Sequence, residues 1–510
     1  MSKPSRPAVH VARGASAVIA NKMINTLVSV LAFAIIARLV SREEMGVLGV
    51  LTLVASAGQL IAGLGVGSTA TRFVASFEAS GDKLNARRAG YGCLIINSLG
   101  SLAVAFGTYL LADTLASALL GSPLRGNLLR LLCLEIAAVG LNYSLVSILT
   151  GLKRFTELSL ADTSTFIARQ SLVVILLEFQ WGLPGVALAW GIGDGLSSIF
   201  MLAYVRKFLG PPAGGFDLSK LLTFSTPLFF AEVANYVWYW FDRGLLVPLV
   251  SLAQFGAYNV AVTAYTLLSS LPKAISSTLF PFYSDLFKES APEKTRGLEN
   301  AVRTASRYVS FFTIPMSVGL AATSVPAVTL LAGNNYADAA IPLAILSIAL
   351  ALSCQLRALS QIFVVLGKTV TYALVTIASV VFPIILGVLA IEHFGISGAS
   401  TARGLSMVIA LLVSVLILRG LMRIRFDMRA YGSAWAGSLV MAVVVLALQV
   451  LHYNKYLLPF YVVSGAVVYV LVLRLLKAIQ KDDVDLVSEF LGPRLAFLRK
   501  WLVIILNQKD

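Results

Sequence analysis

The sequence predicts an all-α, polytopic membrane protein of about fourteen transmembrane helices. Two parallel six-helix repeats are followed by two C-terminal spans. Three observations lead there. The 510 residues are 58% hydrophobic and 13% charged, with a mean hydropathy of +0.85; a soluble chain would carry about twice that charge fraction. Apolar runs of about twenty residues, long enough to cross a bilayer as a helix, recur from end to end. A glycine motif late in the first half returns at a constant offset in the second.

The elements follow in order. Residues 1–14 are basic and turn-prone, with Lys3, Pro4, Arg6, Pro7 and Arg13. A first span near 15–39 has no small-residue cleavage site after it, which argues against a cleaved signal peptide. Further spans are expected near 46–71, 89–112, 128–150, 161–180 and 185–205, completing a first lobe over 1–205. The polar, Gly/Pro-bearing stretch 206–222 is a linker. A second lobe over 223–418 holds spans near 223–248, 256–282, 304–322, 340–366, 370–391 and 396–418. Residues 419–476 carry a basic linker and two last spans near 433–452 and 456–476. Residues 477–510 read as an amphipathic surface helix broken at Pro493.

Charge placement sets orientation. Of 40 Lys and Arg, five (Arg38, Arg42, Arg125, Arg130, Lys455) fall on one side of this layout. Five more (Arg169, Arg243, Lys273, Arg357, Arg403) fall inside spans, and all the rest lie on the other side. The positive-inside rule then puts both termini in the cytoplasm. The net charge of +15 is mostly topology and calls for no nucleic-acid partner. Cys93, Cys133 and Cys354 lie in apolar spans as small core residues, and His10, His393 and His452 are too dispersed for a metal site. No cofactor is expected. Gly367-Lys368-Thr369 lacks the leading glycine of a phosphate-binding loop, so the chain carries no ATPase of its own.

The repeat rests on Gly182, Gly185, Ala189 and Gly191 matching Gly395, Gly398, Ala402 and Gly404. Six spans per half leave both halves in one orientation, an arrangement that rocks about a central site. It also makes span seven the partner of span one. Span seven carries Glu232, Asn235, Tyr239, Asp242 and Arg243 within one arc of about 100°. Each charge at a helix centre costs about 2.5–3.5 kcal/mol on insertion scales, so the stripe should face a partner helix or a watery cavity. Asp242 and Arg243 could instead neutralise one another and only join helices. Span one carries Asn21, Asn25 and Ser29 on one face, and the two stripes are expected to face each other.

Residues 253–290 resemble the polysaccharide-transporter, or oligosaccharide-flippase, family of the multidrug/oligosaccharidyl-lipid/polysaccharide superfamily. The Asp242 helix before Gly256-Ala-Tyr258, the Ala305-Ser-Arg307-Tyr308 stretch with Pro315, Leu331-Ala-Gly333 with Tyr336, and Phe394-Gly395-Ile-Ser-Gly398 share in the likeness. So does Arg38 to Gly46. The resemblance implies two six-helix lobes, a V-shaped cavity and alternating access. It also implies a polyprenyl-(di)phosphate-linked oligosaccharide as cargo, with membrane lipid and glycan-assembly proteins as partners, in a plasma membrane.

Such a cargo calls for fixed positive charge toward the phosphate and hydrogen-bonding groups toward the sugars. Arg169, Arg243, Lys273, Arg357 and Arg403 are the cationic candidates, Arg being suited to bidentate phosphate binding. Asn25, Asn235, Tyr239 and Gln361 are polar candidates. Lys273 could instead snorkel, and Arg357 with Gln361 could be a buried network. Glu232, Asp242 and Asp194 are candidates for coupling to H⁺ or Na⁺, since a carboxylate in a low-dielectric cavity can load and release a cation. Asp194, among Gly191, Gly193 and Gly195, could equally serve close helix packing. A cation-coupled multidrug-type exporter is the alternative, kept open by the acids of span seven. Catalysis is not expected: the first external loop is only 41–44, and the longest, near 323–339, has Asp338 as its only acid.

Overall fold

A computed structural model describes residues 6–286, 291–421 and 424–478, with side chains from residue 21 onward except at 271–296, 298, 357, 361, 364 and 369. Among these residues all regular structure is helical. Where lipid offers no partner for backbone polar groups, a helix satisfies them internally. The amphipathic tail expected beyond residue 478 lies outside the described residues, as do the side chains of the basic N-terminus.

The chain opens with α1 (Arg6–Leu39), α2 (Arg42–Gly63), α3 (Val66–Ala79), α4 (Lys83–Leu110) and the short α5 (Ala112–Leu120). Then come α6 (Gly126–Gly151), α7 (Phe155–Glu178), α8 (Gly182–Leu209) and α9 (Leu218–Leu249). The second half holds α10 (Leu252–Leu286), α11 (Ala291–Ala322), α12 (Ser324–Ala332), α13 (Ala340–Leu352) and α14 (Leu356–Val365). It ends with α15 (Thr369–Phe394), α16 (Ile396–Arg419), α17 (Met428–Leu451) and α18 (Leu458–Leu475). Every expected span coincides with helix, but two are broken. The span expected over 46–71 divides at Leu64 and Gly65, both at positive φ, into α2 and α3. That over 340–366 divides into α13 and α14.

Eleven described helices are long and apolar enough to cross a membrane, or twelve if the pair Glu299–Ala322 and Ser324–Ala332, bent by 73°, counts as one span. Fourteen spans were expected. The charged α9 is outside this set, as is α10. This is a multi-pass membrane protein.

Helix ends in polar sequence are capped by side chains. Ser41 accepts from the Glu44 amide while the Glu44 carboxylate accepts from the Ser41 amide, a capping box. Asp82, Asp217 and Asp427 cap α4, α9 and α17. The repeat glycines Gly182 and Gly395 take nearly the same left-handed φ, 57° and 56°, at the starts of α8 and α16. A residue with Cβ would be strained at either position.

The chain forms two compact units. The first comprises Met1–Val260, Leu331–Tyr336 and Ile384–Ala399; the second comprises Ala261–Leu330, Ala337–Pro383 and Ser400–Asp510. In the first, α6 packs along α8 and α4, α7 along α8 and α1, and α9 along α2 and α3. Lipid is as apolar as the side chains, so van der Waals fit and polar contacts hold these helices together. Val74, Cys93, Leu145, Met201 and Val205 form one packed cluster. The linker after α8 is docked: Arg87 donates to the Leu209 carbonyl (2.6 Å), Arg88 to Ala213 (2.9 Å) and Tyr91 to Gly210 (2.8 Å). Phe216 of the linker packs against Phe73 and Phe77. In the second unit, α17 packs against α11 and α18. Arg307 of α11 ties this packing to Asp427 (3.4 Å) and the Ala478 carbonyl (2.9 Å).

Candidate functional site

The polar stripe of α9 makes three kinds of contact in the first unit. Near its middle, Glu232 accepts from Ser68 of α3 and Tyr143 of α6, both at 3.4 Å. The α2–α3 break places Ser68. Gly65 lies so close to α9 that a Cβ there would sit 2.5 Å from the Ser225 carbonyl oxygen and 2.7 Å from the Phe229 nitrogen. One turn further, Asn235 and Tyr239 are exposed, Tyr239 at 43%. The Asn235 amide donates back to Ala231 (3.0 Å), and Trp238 stands edge-on to Tyr239. Near the C-terminal end, Asp242 is 2% exposed and accepts from Tyr258 of α10 at 2.6 Å. Arg243 lies over the Trp240 ring, 4.2 Å from its centroid. Tyr236 donates to the Leu53 carbonyl and holds α9 to α2.

A second group sits at the meeting of α6, α7 and α8. Arg169 donates to Asp194 at 2.9 Å and lies 3.5 Å from Glu135, with Trp190 under its guanidinium at 5.5 Å. Gly193 lets the helices close: a Cβ there would meet Arg169 Cβ at 2.6 Å. A third group joins α1 to α7. Asn21 donates to Asp162 (3.0 Å) and Thr163 (2.6 Å), and Asn25 to Asp162 (2.9 Å). The polar face of α1 thus turns to α7, while α9 lies along α2 and α3.

The structure therefore brings Arg169 together with Asp194, and gives Glu232, Asp242 and Asn25 separate partners. In the second unit Arg403 is buried in α16, 6% exposed. The side chains of Lys273, Arg357 and Gln361 lie outside those described. Glu135 and Asp162 were missed by the sequence reading, as were the hydroxyls of Ser68, Tyr143 and Tyr258. The two acids were findable, since each falls within an expected apolar span where a carboxylate is costly. Among the described residues no group of three His, Cys, Asp or Glu side chains is arranged to hold a metal. The arrangement offers buried carboxylates with hydroxyl and amide partners, and one exposed polar surface on α9.

The sequence profile described as "Polysaccharide biosynthesis protein" matches residues 35–341. The chain is 25% identical over 275 residues to the "Probable low-salt glycan biosynthesis flippase Agl15" of Haloferax volcanii, spanning 52% of this chain and 53% of that protein. It therefore matches about half the length of this relative. It is 27% identical over 340 residues to the "Probable flippase AglR" of the same organism, covering 59% of this chain and 69% of that one. Among solved structures it resembles the lipid II flippase MurJ, with TM-score 0.72 and 17% identity over 89% of this chain and 97% of that one. It also resembles an inward-facing multidrug resistance transporter of the MATE family, with TM-score 0.62 and 15% identity over 78% and 94%. These likenesses show that the chain has the fold these two transporters share, as the sequence resemblance implied. With its profile matched over more than half of the sequence, the chain belongs to the polysaccharide biosynthesis protein family.

Proposed function

We propose that this protein is a flippase. It carries a polyprenyl-(di)phosphate-linked oligosaccharide from the cytoplasmic to the outer leaflet by alternating access, for surface polysaccharide or other glycan assembly. The observation that carries the reading is the α9 stripe: Asn235 and Tyr239 are exposed on a helix whose neighbouring Glu232 and Asp242 have polar partners. A lone lipid-facing helix would not keep such a stripe. The relatives named as flippases support the cargo class. Asn235 and Tyr239 are the proposed sugar contacts. Arg243, Lys273, Arg357 and Arg403 are the proposed phosphate contacts, ahead of Arg169, which already holds two carboxylates. Asn25, tied to Asp162, and Gln361 are further polar contacts on the path. Glu232 and Asp242 are proposed to couple the cycle to H⁺ or Na⁺. The reading includes no catalytic step. The Lys and Arg distribution supports a plasma-membrane orientation with both termini cytoplasmic.

Leaflet sidedness of lipid-linked sugars, measured in cells depleted of the protein, tests the reading. Accumulation on the cytoplasmic face, rescued by the wild-type chain, is expected. Unchanged sidedness with accumulation of toxic organic cations would replace the cargo with that of a cation-coupled exporter, a reading the MATE-like fold and the α9 acids favour.

A further inference from the structure

Glu135, Arg169 and Asp194 each lie at least two turns from either end of α6, α7 and α8. One guanidinium meets two carboxyls there, at 2.9 Å from Asp194 and 3.5 Å from Glu135. With all three ionised the cluster would carry a net negative charge within the span, where uncompensated charge is costly. A second observation points to what compensates it. Glu135 is 4% exposed, and its Oε2 is buried without a donor. The Glu135 and Asp194 carboxyls both lie against the same Arg169 guanidinium. One guanidinium balances one of the two carboxylates, and a proton on the other removes the remaining charge.

Among the described residues, the ion-pair partner of both Glu135 and Asp194 is Arg169. The polar residue that α4 brings to α6 is the uncharged Asn97, whose amide donates to the Gly140 carbonyl and to Ser144.

We propose that Glu135 and Asp194 form a proton-binding site, one proton being held by the pair beside the Arg169 guanidinium. Arg169 is then the counter-ion of this site rather than a ligand of the cargo phosphate. The cluster is neutral with the proton bound and carries one negative charge without it. A movement of α7 that withdraws Arg169 favours proton uptake, and its return favours release. Protonation is thereby linked to the packing of α7 against α6 and α8. This deepens the flippase reading, which supplies the purpose of the proton; the site's chemistry stands without it.

Infrared spectroscopy of the purified full chain in lipid tests the proposal directly. The wild-type spectrum minus that of Glu135→Gln is expected to contain, near neutral pH, the carbonyl stretch of one protonated carboxylic acid per chain, shifted in heavy water. The difference against Asp194→Asn should contain the same band. The band should fade as the wild-type protein is titrated to alkaline pH, and persist to higher pH in Arg169→Gln. Absence of the band from both differences, from mildly acidic to mildly alkaline pH, overturns the proposal. If one variant does not fold, the wild-type titration and the other variant still decide. Lipid-linked sugar sidedness in depleted cells fails separately if the flippase reading is wrong, because the infrared band does not depend on cargo.

Discussion

Asp242 concentrates the chemistry of α9 in one side chain. It is buried, and Tyr258 from the next helix donates to it at 2.6 Å. Removing that donor with Tyr258→Phe is expected to cost about 1–3 kcal/mol, the penalty of a buried polar group losing a partner, read as a lower melting temperature in detergent. Asp242→Asn is expected to reduce transport strongly while leaving folded protein at wild-type amounts; full transport in that variant would remove Asp242 from the mechanism. Glu232, Asp242, Arg169 and Asp194 were conspicuous in the sequence because an ionisable residue inside an apolar run is expensive. Their partners were not. Arg169 meets an aspartate one helix later and a glutamate one helix earlier, and no spacing rule within one helix relates them.

At the level of the helix, the α2–α3 break has the clearest consequence. Continuous apolarity over 46–71 made one span the natural reading, and the Gly63-Leu64-Gly65 run was the only local sign of a break. Gly65 takes φ +72° against the backbone of α9. Gly65→Val should therefore destabilise the fold by at least about 1–2 kcal/mol from left-handed strain alone, with the collision adding more. The expected readout is a reduced monodisperse fraction on size-exclusion chromatography; unchanged yield and melting would contradict the close approach.

The turn before α4 offers a pH-dependent test outside the spans. The backbone amide and side-chain amide of Asn85 both donate to Asp82 and hold its carboxyl below its ordinary range. A depressed carboxyl contributes stability above its unfolded value of about 3.9 and loses it as pH falls through the lower folded value. Hydrogen-exchange protection of the first turn of α4 should decline on such acidification in the wild type, and show no such step in Asp82→Ala.

For the whole molecule, orientation is the quantity to measure. Single cysteines at Ser122 and Ala213, in a chain with Cys93, Cys133 and Cys354 replaced, should differ in reach. An impermeant thiol reagent outside the cell should label Ser122→Cys and spare Ala213→Cys. The reverse pattern would invert the topology.

Composition and apolar run length alone determined that this chain is a bundle of membrane helices, because a bilayer imposes its thickness on any segment that crosses it. Isolated charges in those runs marked the residues that must find partners. Only the tertiary structure decided which partners they found: Glu232 with Tyr143 and Ser68, Asn25 with Asp162, and Glu135 and Asp194 with Arg169. These pairings depend on the rotation of each helix about its axis and on packing between helices distant in sequence. Neither is encoded in the period of a single segment, because helix contacts in lipid are set by shape and hydrogen bonding rather than by apolarity.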